Sequence, residues 1–108
     1  MNEISIRLLP ESCLSAEKLI IESDLDCSKL LQTNWQSITV NEGLCNSMTG
    51  SLTISNYPNL MSISIYDNSL INITSLTISH NPYLYSLSIG NYALTSVTSF
   101  IMEGIFYL

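Results

Sequence analysis

From Lys18 onward, apolar and polar residues alternate in short bursts. Ser51-Leu52-Thr53-Ile54-Ser55, Ser62-Ile63-Ser64-Ile65, Ser75-Leu76-Thr77-Ile78-Ser79 and Ser86-Leu87-Ser88-Ile89 each have period two. That period puts successive side chains on opposite faces of a strand. The pattern predicts short strands centred on Ile4–Ile6, Leu19–Ile21, Ile38–Val40, Leu52–Ile54, Ile63–Ile65, Leu76–Ile78, Leu87–Ile89 and Phe100–Met102. In each, the branched apolar residues turn inward and the Ser and Thr residues turn outward. Asn56-Tyr57-Pro58-Asn59 and His80-Asn81-Pro82-Tyr83 read as turns, where the missing N–H of proline does no harm.

The bursts also repeat. Ser51–Ser55 matches Ser75–Ser79, and Ser62–Ile65 matches Ser86–Ile89, both at the same offset. Ser99-Phe100-Ile101-Met102 opens a further copy. Trp35–Val40 matches Leu60–Ile65 at an offset longer by a single position, which is absorbed near Gly50. The strand centres Thr53, Ser64, Thr77, Ser88 and Ile101 follow one another at alternately shorter and longer intervals. Each repeat therefore holds two short strands, one on each wall of a flattened coil. The expected fold is mostly β: a solenoid of 24-residue repeats whose strands form two parallel sheets. Residues 1–34 are read as irregular N-terminal coils or a cap, with a helical turn at Ser28–Gln32 and either a loop or a short helix from Pro10 to about Glu17. Residues 35–108 are read as the repeats, the last one truncated, as in an excerpt of a longer protein.

Leu60-x-x-Ile63-x-Ile65-x-x-Asn68-x-Leu70 fits the phrase L-x-x-L-x-L-x-x-N-x-L. Leu84-x-x-Leu87-x-Ile89-x-x-Tyr92-x-Leu94 fits it with Tyr92 in place of Asn, and Trp35–Cys45 fits more loosely. Over residues 35–108 the chain resembles the leucine-rich repeat proteins, in particular the two-walled Treponema or BspA-like type found on microbial and protist surfaces. The resemblance implies a protein ligand lying across the strand wall. Carried onto this chain, the ligand-binding face is Thr39, Asn41, Glu42, Ser64, Tyr66, Asp67, Ser88 and Asn91, with Tyr66 and Asp67 as its centre. It also implies that the consensus asparagine, here Asn68, is buried and bonds neighbouring coils. Cell-surface or extracellular placement is favoured for such a protein.

Composition narrows the alternatives. The 108 residues carry a net charge of −6, and residues 51–108 contain Asp67 and Glu103 but neither Lys nor Arg. Nothing there neutralises phosphates, so a nucleic-acid partner is not expected. No apolar stretch approaches bilayer-spanning length, so membrane insertion is not expected either. His80 stands in a turn without a partner acid, and no nucleophile elbow or phosphate-binding glycine loop is present. An enzyme and a cofactor are therefore not expected. Asp24 and Asp26 lack the further ligands of a calcium loop. Cys13, Cys27 and Cys45 allow a single disulfide with one thiol left over, or three buried thiols. Asn72-Ile73-Thr74 matches a glycosylation acceptor.

The expected function is thus a non-catalytic binding or adhesion module. End-to-end self-association through the C-terminal repeat is a second possible contact. The alternatives are a passive spacer in a repeat array, or a hydroxyl face for ice or glycan built on Thr53 and Thr77 of one wall and Thr39, Ser64 and Ser88 of the other.

Overall fold

A computed structural model describes residues 17–104. Seven strands account for most of the regular structure: β1 (Lys18–Ile21), β2 (Ser37–Val40), β3 (Gly50–Ser55), β4 (Ser62–Ile65), β5 (Ile73–Ser79), β6 (Ser86–Ile89) and β7 (Ser99–Glu103). All seven coincide with strands expected from the sequence, five of them bursts of period-two alternation and β1 and β7 short apolar runs. The strand expected at Ile4–Ile6 and the segment following Pro10 lie outside the described residues.

Two parallel sheets result. Sheet A has the order β1-β2-β4-β6 and sheet B the order β3-β5-β7. From β2 onward the chain crosses from one sheet to the other with every strand. Leu52 pairs with Leu76 and Leu76 with Phe100 in sheet B, while Ile63 pairs with Leu87 in sheet A. These are the residues that match one another in the sequence, so the sequence offset is the hydrogen-bond register. β2 pairs with β4 at the longer offset, Ile38 opposite Ile63. The register of β3 against β5 is irregular between Gly50, opposite Ile73, and Ser51, opposite Ser75. Gly50 has φ +79°, a left-handed conformation that glycine adopts without a steric penalty.

The core lies between the sheets. Ile21, Ile38, Val40, Ile63 and Ile65 enter it from sheet A, and Leu52, Ile54, Leu76 and Ile78 from sheet B, all essentially inaccessible to water. Burial falls away at β6 and β7, where Leu87 is half-buried and Ile89 and Phe100 are exposed.

Sheet A has one strand more than sheet B. Beside β3 the missing strand is replaced by a 3₁₀ helix over Asp24–Leu31, longer and earlier than the turn expected at Ser28–Gln32. A 3₁₀ helix has three residues per turn, so side chains three apart lie in one row. Asp24, Cys27 and Leu30 form such a row. Cys27 and Leu30 are buried, and each member of the row is tied to the sheet region by a specific bond described below. The helix carries Asp24 and Asp26 in its first turn and Lys29 in its last, in keeping with its dipole.

Candidate functional site

The outward face of sheet A is a small grid. Thr39 is in register with Ser64, and Ser64 with Ser88; Ser37, Ser62 and Ser86 form the parallel row two residues earlier. Neighbouring strands in a sheet lie about 4.8 Å apart, so each row sets three hydroxyls side by side. Asn41 and Tyr66 continue the outward pattern beyond the strand ends, where Asn41 N–H donates to Ile21 O and Tyr66 N–H to Val40 O. The Tyr66 side chain is half exposed, and Met61, Tyr83 and Tyr85, which precede β4 and β6, are also exposed. No charged side chain stands on β2, β4 or β6.

Sequence reasoning grouped Glu42, Asp67 and Asn91 with this face. The structure places them in equivalent turns just past the strands, and gives Asp67 a structural task. Its Oδ1 accepts a hydrogen bond from Asn91 N–H at 2.8 Å, while its carbonyl accepts one from Gly43 N–H at 2.9 Å. Gly90 makes room for it: a Cβ at Gly90 would lie 2.3 Å from Asp67 Oδ1 and 2.7 Å from Asp67 N. Asp67 thus stitches one turn to the next. Glu42 and Asn91 are exposed.

The expectation for Asn68 is overturned. It is exposed, with φ +60°, a left-handed conformation that asparagine adopts more readily than most residues. Its neighbour Ser69 is the buried one. Ser69 Oγ donates to Asn41 O at 2.7 Å and accepts from Leu44 N–H at 3.3 Å, joining two turns. Gly43 and Tyr92 occupy the positions matching Asn68 and share its left-handed φ, at +74° and +62°. The consensus position is held here by backbone conformation, and the bonding role has moved one residue along.

The buried asparagine stands on the other wall. Asn81 is inaccessible to water; its Oδ1 accepts from Tyr57 N–H at 2.9 Å and its Nδ2 donates to Ile54 O at 3.0 Å. Tyr57 fills the matching position in the preceding copy of the sequence pattern. It is itself buried, and its hydroxyl donates to Leu30 O of the 3₁₀ helix. Burial pushes the Tyr57 phenol up from its ordinary value near 10. Asn46 adds a further tie, accepting from Ile71 N–H and donating to Asn68 O, both at 3.0 Å. In the sequence, Asn81 holds the asparagine place of the second wall's phrase, Ile73-x-x-Leu76-x-Ile78-x-x-Asn81-x-x-Leu84, whereas nothing there singles out Ser69 or Asn46.

Cys27 and Cys45 form a disulfide between the 3₁₀ helix and the turn after β2. Cys45 takes the position held by Leu70 and Leu94 in the later turns, with the same left-handed backbone. Asp24 Oδ1 accepts from Cys45 N–H at 2.8 Å. Donor atoms of Asp24, Cys27 and Cys45 lie within 4.8 Å of one another. Two of them are the bonded sulfurs, so they are not thiolate ligands for a metal. Asp26 pairs with Lys29 at 3.1 Å.

At the β6–β7 edge, Leu76, Ile89, Ala93, Leu94, Val97 and Phe100 line an open apolar depression of about 330 Å³. It lies in the region assigned from sequence to end-to-end association. No helix among the described residues is long and apolar enough to cross a membrane. No protein-family model matches the chain, and neither the curated proteins nor the solved structures contain a match to it.

Proposed function

We propose that the chain is a leucine-rich-repeat-type solenoid module that binds a protein ligand across the outward face of sheet A, at the surface of a cell or outside it. One observation carries the assignment to that face. Its strands β2, β4 and β6 carry no charged side chain, Lys18 standing apart on the edge strand β1, and exposed Tyr66, Tyr85 and Met61 stand at the strand ends. Tyrosine and methionine are enriched at protein interfaces, and acids and lysine are depleted from their centres. Tyrosine adds large contact area at low entropic cost. The outward side chains of sheet B include Ser51, Thr53, Ser55, Ser75, Thr77, Ser99, Ile101 and the charged Glu103, with no tyrosine among them. The binding set is Thr39, Asn41, Ser64, Tyr66 and Ser88, with Glu42 and Asn91 at its rim; Asp67 supports the set through its turn bonds. The match between sequence offset and strand register, and the alternation between two sheets, support the solenoid reading. The disulfide supports an oxidising compartment, where such bonds form and persist.

The test uses four baits: the wild type, Ser64→Arg, Tyr66→Ala, and Thr77→Arg as the control on sheet B. Each is first checked for an unchanged circular dichroism spectrum. A partner retained by the wild type and T77R, and lost from S64R and Y66A, is the expected result. Retention by all four contradicts the assignment to sheet A, and absence of a partner from all four favours the spacer.

A further inference from the structure

We propose that Asn72 is an N-glycosylation site, and that its oligosaccharide sits on the turn entering sheet B, outside the Thr39–Ser64–Ser88 row. Asn72-Ile73-Thr74 is the one Asn-x-Ser/Thr triplet without proline in the chain. The structure places Asn72 in an exposed turn immediately before β5, and Thr74 is exposed as well. Asn72 Nδ2 donates to Asn46 O at 2.7 Å. A side-chain amide has two N–H bonds. Glycosylation replaces one of them and leaves the other as a donor. At the matching positions in the preceding and following copies of the pattern stand the small residues Ser47 and Ser96.

The second observation is independent of the triplet. Cys27 and Cys45 are joined in a buried disulfide. Such bonds are typical of proteins that pass through the secretory pathway, where asparagine is glycosylated. The inference rests on the extracellular reading given above.

The donor is a polyprenyl-diphosphate-linked oligosaccharide. Asn72 Nδ2 attacks C1 of its first sugar, forming the N–C1 bond as the C1–O bond to diphosphate breaks. The polyprenyl diphosphate leaves with the bonding electron pair, and one Nδ2 proton passes to a base of the transferase. No oxidation or reduction is involved. The attached sugar hydrates a half of the molecule that carries only Asp67 and Glu103 as charges, while sheet A stays open to its ligand.

The experiment is an immunoblot of the full-length native protein from its source cells, before and after digestion with peptide-N-glycosidase, with mass spectrometry of the peptide containing Asn72. Thiol alkylation on the same sample reads the state of Cys27 and Cys45. The expected result is a fall in apparent mass and conversion of Asn72 to aspartate by the enzyme. In cells expressing tagged variants, Asn72→Gln and Thr74→Ala abolish the fall while Thr74→Ser preserves it. An intact disulfide without any mass change overturns glycosylation and leaves the extracellular reading standing. Reduced cysteines without a mass change overturn both.

Discussion

Asp67 and Gly90 share one small volume: the carboxylate of the first occupies the space that a Cβ on the second would take, and from there it bonds Asn91 N–H. Two residues that look unrelated in the sequence therefore form one device. Gly90→Ala forces the side chain into Asp67 backbone atoms, which cannot swing aside. An overpacking cost of about 1–3 kcal/mol is expected. Asp67→Ala loses a charge-assisted bond from an accessible site, about 1–2 kcal/mol. Because the two act on one contact, the double variant should cost less than the sum. Urea unfolding of the three variants measures this.

Asn81 should be the most sensitive polar position. Asn81→Ala leaves Tyr57 N–H buried without its partner and removes a bond to Ile54 C=O, a loss of about 1–3 kcal/mol. Asn81→Asp supplies an acceptor for Tyr57 but, when ionised, no donor for Ile54. Burial raises the carboxyl pKa of this variant, so its stability is greatest at low pH and falls as pH rises. Thermal melts across the acid range test the direction.

Tyr57 gives an alkaline counterpart. Its phenol holds its proton more strongly in the folded chain than in the unfolded one. Its contribution is complete below the unfolded value near pH 10 and is lost as pH rises from there through the folded value. Tyr57→Phe removes that dependence. It also costs about 0.5–1.5 kcal/mol at neutral pH, through the lost bond to Leu30 O. Paired denaturant titrations at neutral and alkaline pH separate the two effects.

The disulfide holds the 3₁₀ helix in the place of a sheet B strand. The two cysteines are 18 residues apart, for which chain-entropy arguments give about 3 kcal/mol. Cys27→Ala with Cys45→Ala should lower the urea midpoint accordingly. Amide exchange should rise first in Asp24–Leu31 and in β3, which the helix covers.

The central strands β2 to β5 were legible because one face of each is buried and apolar residues recur there with period two, while β6 and β7 were legible because they repeat the sequence of β4 and β5. The places of the turns at Pro58 and Pro82 were legible too, but the backbone conformations and bonds of the turns were not, because these are set by neighbours in the next turn of the chain rather than by adjacent residues. Asn68 fits the consensus letter, yet a left-handed backbone is what its position requires, and Gly43 and Tyr92 meet the same requirement with quite different side chains. Tyr92 does so against the steric preference of an L-residue. Tyr92→Gly should accordingly be neutral to stabilising, by up to about 1 kcal/mol, since relief of that strain is partly offset by the greater freedom of glycine in the unfolded chain. Asn81 stands at the asparagine place of the second wall's phrase, but its bonds were not legible, because its match, Tyr57, is chemically unlike it and the position does not read as a ladder. Asp67 looked like a binding residue because it is a lone charge beside a tyrosine; the empty Cβ position of Gly90, which explains it, is visible only in three dimensions. The 3₁₀ row of Asp24, Cys27 and Leu30 has a spacing of three, which without the disulfide is a weak signal in so short a segment.

The proposed function turns on sheet A, and not sheet B, meeting the ligand. Photo-crosslinking tests this most directly, with a photoreactive amino acid placed singly at Thr39, Ser64 or Ser88 on one wall and at Thr53 or Thr77 on the other. One and the same protein adduct is expected from the three sheet A positions, lost when Tyr66→Ala is added, and none from the two sheet B positions. Adducts of equal yield from both walls, or from sheet B alone, would contradict it.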